Sequence, residues 1–265
     1  MYPAKYHRPA SLAEAVADLK AAEEAVAIAG GQTLLPTMKQ RLAMPSDLID
    51  LRGLNELKGI DVSGGTVTVG AATTHAEVAA HAGIRAAIPA LACLAAGIGD
   101  PAVRHMGTIG GSLANNDPAA DYPAAVLGLG ATVVTDRREI AADDFFEGMF
   151  TTALEEGEII VSVRFEAPEA AAYQKFANPA SRYALVGVFV ARTGGGVRVA
   201  VTGAGADGVF RHDGMEQALG ARFVPEAVEG TSVDEAQMAS DIHASPAYRA
   251  HLIKVMARRA VAGAS

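Results

Sequence analysis

The spacing of apolar and polar positions divides the chain into three successive regions. Leu12, Val16 and Leu19 recur at helical intervals behind Ser11-Leu12-Ala13-Glu14, a capping box that predicts a helix to about residue 22. The apolar run 25–29 predicts a strand. The glycine turn Ala29-Gly30-Gly31-Gln32-Thr33 follows it, then a short helix near 35–41 and a strand at 48–50. Together these form a small β-α-β unit over residues 1–57.

Between 58 and 168 the pattern shifts to hairpins with intervening helices. Runs 59–62 and 66–70 flank the turn Ser63-Gly64-Gly65, and Thr74-His75-Ala76-Glu77 is a second capping box. Residues 88–96 read as a helix, 121–127 as a helix capped by Asp121, and 131–134 and 158–165 as strands. The third region, 169–265, carries apolar runs at 172–176, 184–192 and 197–201. The last two are joined by Gly194-Gly195-Gly196, and a helical tail follows at 246–261. A short antiparallel sheet covered by helices is expected there, with 203–208 as a surface loop. The fold class is α+β.

Composition narrows the function. Half of the 265 residues are hydrophobic, enough for a sizeable core. No apolar run reaches about 18 residues and the first residues carry no secretory segment, so a cytoplasmic protein without a transmembrane segment is expected. The net charge of -8 gives no general attraction for polyanions, and no nucleic-acid partner is expected. The single cysteine, Cys93, excludes an internal disulfide and an all-cysteine iron-sulfur cluster, and its apolar setting predicts a buried small hydrophobe. The seven histidines lack metal-ligand spacing, and no Gly-x-Ser-x-Gly is present, so neither metal nor hydrolase chemistry is expected. Asp143-Asp144 and Glu155-Glu156 read as solvated turns.

The candidate chemistry lies in two glycine bends. In Ala29-Gly30-Gly31-Gln32-Thr33 and Met106-Gly107-Thr108-Ile109-Gly110-Gly111-Ser112, residues without bulky side chains let successive N–H groups converge on an anion. Thr108, Ser112 and Asn115 offer side-chain donors beside the second bend. Neither bend has the Gly-x-Gly-x-x-Gly or Gly-Lys-Ser/Thr pattern of the common nucleotide loops. Two cradles suit two linked phosphates, and four or five donors at about 1.5–3 kcal/mol each supply on the order of 10 kcal/mol before ordering costs.

These two bends, with Ala177-Asn178-Pro179-Ala180-Ser181-Arg182-Tyr183-Ala184, resemble the FAD-binding medium subunit of molybdenum hydroxylases, a group that includes aerobic carbon monoxide dehydrogenase and the xanthine dehydrogenase family. The resemblance runs from Tyr6-His7-Arg8-Pro9 to Arg258-Arg259-Ala260-Val261. It implies a two-part FAD-binding domain of the PCMH type: a small β-α-β part (1–57) and a larger part on a mixed sheet (58–168). A C-terminal antiparallel sheet with helices (169–265) completes the chain.

The resemblance also implies residue roles. Main-chain groups of Ala29, Gly30, Gly31, Gln32 and Thr33, and of Thr108, Ile109, Gly110, Gly111 and Ser112, would contact the FAD pyrophosphate. Relatives commonly have asparagine where this chain has Ser112. Asp121 matches an acidic residue that contacts the ribose, with a plain helix cap as the alternative. Ile160 would approach the adenine. Lys175 would balance ligand charge, or stand solvated at a strand edge. Tyr183 would cover one face of the isoalloxazine ring.

No catalytic side chain and no metal site is implied in this chain. FAD would carry electrons from iron-sulfur clusters to an external acceptor. Molybdopterin would reside in a large partner subunit and the clusters in a small one, the whole forming a dimer of heterotrimers. The substrate, whether carbon monoxide, an aldehyde, an N-heterocycle or a purine, would be selected by the large subunit. A free-standing FAD oxidoreductase of the same fold, or a non-catalytic nucleotide-binding scaffold, would share the same bends.

Overall fold

Three sheets of three to five strands and a two-stranded hairpin, Phe146–Gly148 with Thr151–Thr152, make up the strands of the computed structural model, which describes residues 1–265. In the first, Asp47–Asp50 lies between Lys5–His7 and Ala25–Ile28, all parallel. Lys5–His7 has only three residues, too few to announce a strand by alternation. The helix Leu12–Ala21 packs Leu12, Val16 and Leu19 around Ile49 and Leu51, as their spacing predicts. Its cap differs in detail. The Ser11 hydroxyl accepts from Glu14 N, but the Glu14 carboxylate reaches past Ser11 to accept from Ala10 N at 2.7 Å.

The second sheet runs Ile60–Ser63, Thr66–Gly70, Ile160–Glu166, Thr132–Thr135, Glu139–Ala141. It was expected to be mixed, yet every pairing within it is antiparallel, and parallel pairing is confined to the first sheet. The helices Pro89–Ala96 and Tyr122–Gly128 contribute to its core. The capping box at Thr74 forms in full, with Glu77 reciprocating.

In the third sheet, Ala184–Thr193 lies between Ala170–Ala177 and Gly196–Thr202. Its side chains alternate between two cores. Val186, Val188 and Val190 pack with Ile253, Met256 and Ala257 of the helix Pro246–Gly263, while Phe189 and Ala191 join the core of the second region. Burial on both faces accounts for the unbroken apolar run in that strand.

Three local expectations are corrected by packing. Cys93 is exposed, because Leu91, Ala92, Leu94 and Ala95 turn inward and leave it on the outer face of its helix. The 203–208 segment is largely enclosed: Ala204 is fully buried, Gly205 bridges to Met238, and the buried Arg249 guanidinium donates to the Gly203 carbonyl at 2.6 Å. Asp143 and Asp144 belong to the one-turn helix Ala142–Phe145 instead of a turn, while staying exposed as expected, as do Glu155 and Glu156; Asp143 pairs with Arg198 at 2.6 Å and Glu155 with Arg137 at 3.1 Å. No helix is long and apolar enough to cross a membrane.

Candidate functional site

A cavity of about 640 Å³ opens where the three regions meet, within the range of small-molecule sites. Residues 29–33, Thr108, Gly110, Gly111, Ser112, Asn115, Asp121, Ile160 and Tyr183 line it. These are thirteen of the fifteen site residues read from the sequence; Lys175 and Ile109 do not line the cavity. Ile109 is the simpler exception. It is fully buried in the core of the second region and contributes packing instead.

The first bend leaves its main chain open. The N–H groups of Ala29, Gly30, Gly31, Gln32 and Thr33 donate to no acceptor in the chain, and Thr33 begins its short helix without a side-chain cap. Gly31 sits at φ +67, a conformation L residues rarely adopt. Gly30 is required by contact: a Cβ there would stand 2.3 Å from the Met106 carbonyl oxygen. The two bends therefore touch, backbone to backbone.

The second bend is built differently from the expected cradle. Ile109 N donates to Thr73 O, Gly110 N to Ala71 O at 2.9 Å, Gly111 N to the Thr108 hydroxyl and Ser112 N to Thr108 O. These four amides anchor it to the segment that follows the strand Thr66–Gly70 and to its own helix, Ile109–Asn115. Gly110 serves the same contact, since a Cβ there would lie 2.6 Å from that of Ala71. From this bend and the helix it opens, Thr108, Gly110, Gly111, Ser112 and Asn115 line the cavity, and Ser112 and Asn115 carry polar side chains.

Asp121 does not cap its helix. Its carboxylate accepts from the Tyr173 hydroxyl at 2.5 Å and from Lys175 Nζ, which also donates to Gly97 O at 2.9 Å. Burial raises the Asp121 carboxyl above the usual range, and Lys175 and Tyr173 act against that rise. Lys175 is neither solvated nor among the cavity-lining groups, because its charge is spent on Asp121. Ile160 lines the wall at a register irregularity in its strand.

Tyr183 is 47% exposed and stands on a short loop closed by Asn178 N donating to Tyr183 O. Burial of its phenol, with Asp117 and Asp121 nearby, raises its pKa. Its neighbour Arg182, at φ +64, also lines the cavity, as do Asp117, His75 and Glu158. None of these four was singled out as a site residue from the sequence. His75 was visible there only as part of a helix-start motif. Glu158 is fully buried and paired with Arg138 at 3.0 Å, whose hydrogen bonds hold it down to about 2.

Residues 2–168 match the family model described as the FAD binding domain in molybdopterin dehydrogenase. The chain is 36% identical to the carbon monoxide dehydrogenase medium chain of Afipia carboxidovorans, covering 97% of this chain and 94% of that one. It is also 36% identical to the nicotine 6-hydroxylase medium subunit of Paenarthrobacter nicotinovorans, covering 97% and 95%. A crystal structure of Cu,Mo-CO dehydrogenase superposes with a TM-score of 0.89 at 35% identity, covering 99% of this chain and 98% of that chain. Quinoline 2-oxidoreductase from Pseudomonas putida does so at 0.88 and 32%, covering 99% and 97%. The chain belongs to the family of FAD-binding medium subunits of molybdenum hydroxylases.

Proposed function

We propose that this chain is the electron-transfer subunit of such a hydroxylase, taking electrons from iron-sulfur clusters of a partner and passing them to an external acceptor. FAD, when bound, supplies the redox chemistry. The observation that carries the proposal is the run of unpaired N–H groups at residues 29–33, on the wall of a cavity shared by all three regions. Unmade backbone hydrogen bonds are costly unless a ligand or water takes them up, and converging N–H donors suit a pyrophosphate.

The protein's residues hold and orient. Residues 29–33 donate to the phosphates through the main chain, and Ser112 and Asn115 add side-chain donors across the cavity. Ile109 and Gly110 act indirectly, by fixing the second bend against Thr73 and Ala71, and the Thr108 hydroxyl holds its turn by accepting from Gly111 N. Asp121, locked by Lys175 and Tyr173, closes the wall on the ribose side. Ile160 excludes water beside the adenine, and Tyr183 covers the ring that exchanges electrons. No side chain here is required to move a proton. The large molybdopterin subunit, the small iron-sulfur subunit, their assembly as a dimer of heterotrimers and a cytoplasmic location belong to the same proposal.

The test is co-purification from the native host followed by reduction of the complex by its substrate. Flavin on this chain that bleaches only when both partners are present supports a relay. Turnover by this chain alone with a simple donor would favour a free-standing oxidoreductase, and a colourless chain that refuses FAD would favour a scaffold.

A further inference from the structure

One buried polar side chain on the cavity wall has no task in the function proposed above. His75 is 5% exposed, its ring lies 5.3 Å from that of Tyr122 between centroids, and its Nδ1 is sealed off with no hydrogen-bond partner. His75 is among the cavity-lining residues, and Nε2, unlike Nδ1, is not sealed, so Nε2 is the ring nitrogen open to the cavity. The backbone fixes that placement: His75 N donates to Gly107 O at 2.9 Å.

Two glycines leave room for the ring. A Cβ on Gly107 would stand 2.6 Å from His75 Nε2, and a Cβ on Gly30 would stand 2.6 Å from Gly107 Cα. Gly30, Gly107 and His75 are therefore stacked in that order, with the imidazole directly behind the junction of the two bends. The unpaired N–H groups of residues 29–33 begin at that junction.

A neutral imidazole carries one ring hydrogen. On Nδ1 it would be a sealed donor without an acceptor; on Nε2 only the Nδ1 lone pair is left without a partner, the less costly arrangement. Burial, reinforced by the Arg104 guanidinium, lowers the ring's pKa to about 4, so the ring is neutral at physiological pH. Nε2–H is then a neutral donor on the cavity side.

We propose that His75 is a further binding residue for FAD, its Nε2–H donating to a pyrophosphate oxygen beside the 29–33 loop. The inference rests on the cavity holding FAD, and the experiment separates the two.

The purified full chain, labelled with ¹⁵N-histidine, is titrated with FAD and followed by NMR, and FAD dissociation constants are measured for wild type, His75→Leu and His75→Gln. Expected are an Nε2–H tautomer whose Nε2 resonance shifts on FAD addition, roughly 10- to 100-fold weaker binding by His75→Leu, and recovery to within a few-fold by His75→Gln. A wild-type chain that binds FAD while the His75 resonances stay still, or a His75→Leu variant that binds as tightly as wild type, overturns the role of His75 alone. A folded wild-type chain that takes up no FAD overturns the assignment of the cavity as well. Should His75→Leu fail to fold, the wild-type titration decides.

Discussion

Lys175 Nζ lies 3.0 Å from Asp121 Oδ1, and this ion pair ties the C-terminal sheet to the loop that starts the Tyr122–Gly128 helix. Both side chains are nearly excluded from solvent, at 10% and 5% exposure. Lys175→Met strands a buried carboxylate, and a loss of about 3–5 kcal/mol is expected. Asp121→Asn added to that variant restores part of the loss, because it removes the stranded charge. Chemical denaturation of wild type, the two single variants and the double variant measures both. A Lys175→Met variant within 1 kcal/mol of wild type would show that the pair holds nothing together.

Gly30→Ala forces a methyl group into the Met106 carbonyl. The two bends must separate, so a destabilisation of about 1–3 kcal/mol and at least a tenfold loss in FAD affinity are expected together. Thermal melts and bound-flavin content test this, and normal flavin content would remove the bend contact from the site.

Gly110→Val acts by packing. The new side chain points at Ala71, so the melting temperature falls along with flavin content. A variant that melts like wild type but lacks flavin would place the added side chain in the cavity instead.

Acid stability has a definite sign. As pH falls from 6.5 toward about 4, unfolded chains take up a proton that folded His75 refuses, because burial and Arg104 hold its pKa down. The stability present above pH 6.5 is thereby reduced by roughly 3 kcal/mol across that window. His75→Gln should flatten the slope there. Glu158, lowered from 4.5 to about 2 chiefly by its Arg138 hydrogen bonds, adds a second loss between those values. Denaturation midpoints from pH 8 to 3 give the profile, and an unchanged slope in His75→Gln would contradict the assignment.

Tyr183→Ala removes a half-exposed ring from a loop outside the core. Stability should stay within about 0.5 kcal/mol while the reduction potential of the bound flavin shifts. An unaltered potential would leave Tyr183 without a redox role.

Most elements were legible because each rests on a local signal. The helix starts at Ser11 and Thr74, the full capping box at Thr74, the 63–65 turn and the apolar runs of the third sheet all translate directly. Pairings between distant residues were not legible. Asp121 carries the sequence of a cap, but its partners, Tyr173 and Lys175, arrive from a strand some fifty residues away. Thr108–Ser112 looks like a second phosphate loop, yet Ala71 and Thr73, distant in sequence, claim two of its amides. Cys93 sits in an apolar run but falls on the outer face of its helix, a phase that only tertiary packing fixes.

The claim that everything else depends on is that the open N–H groups of residues 29–33 bind the FAD pyrophosphate. A crystal structure of the chain with FAD tests it most directly. Phosphate oxygens within hydrogen-bonding distance of those five amides are the predicted result; a pyrophosphate lodged elsewhere in the chain, with those amides facing only water, would contradict it.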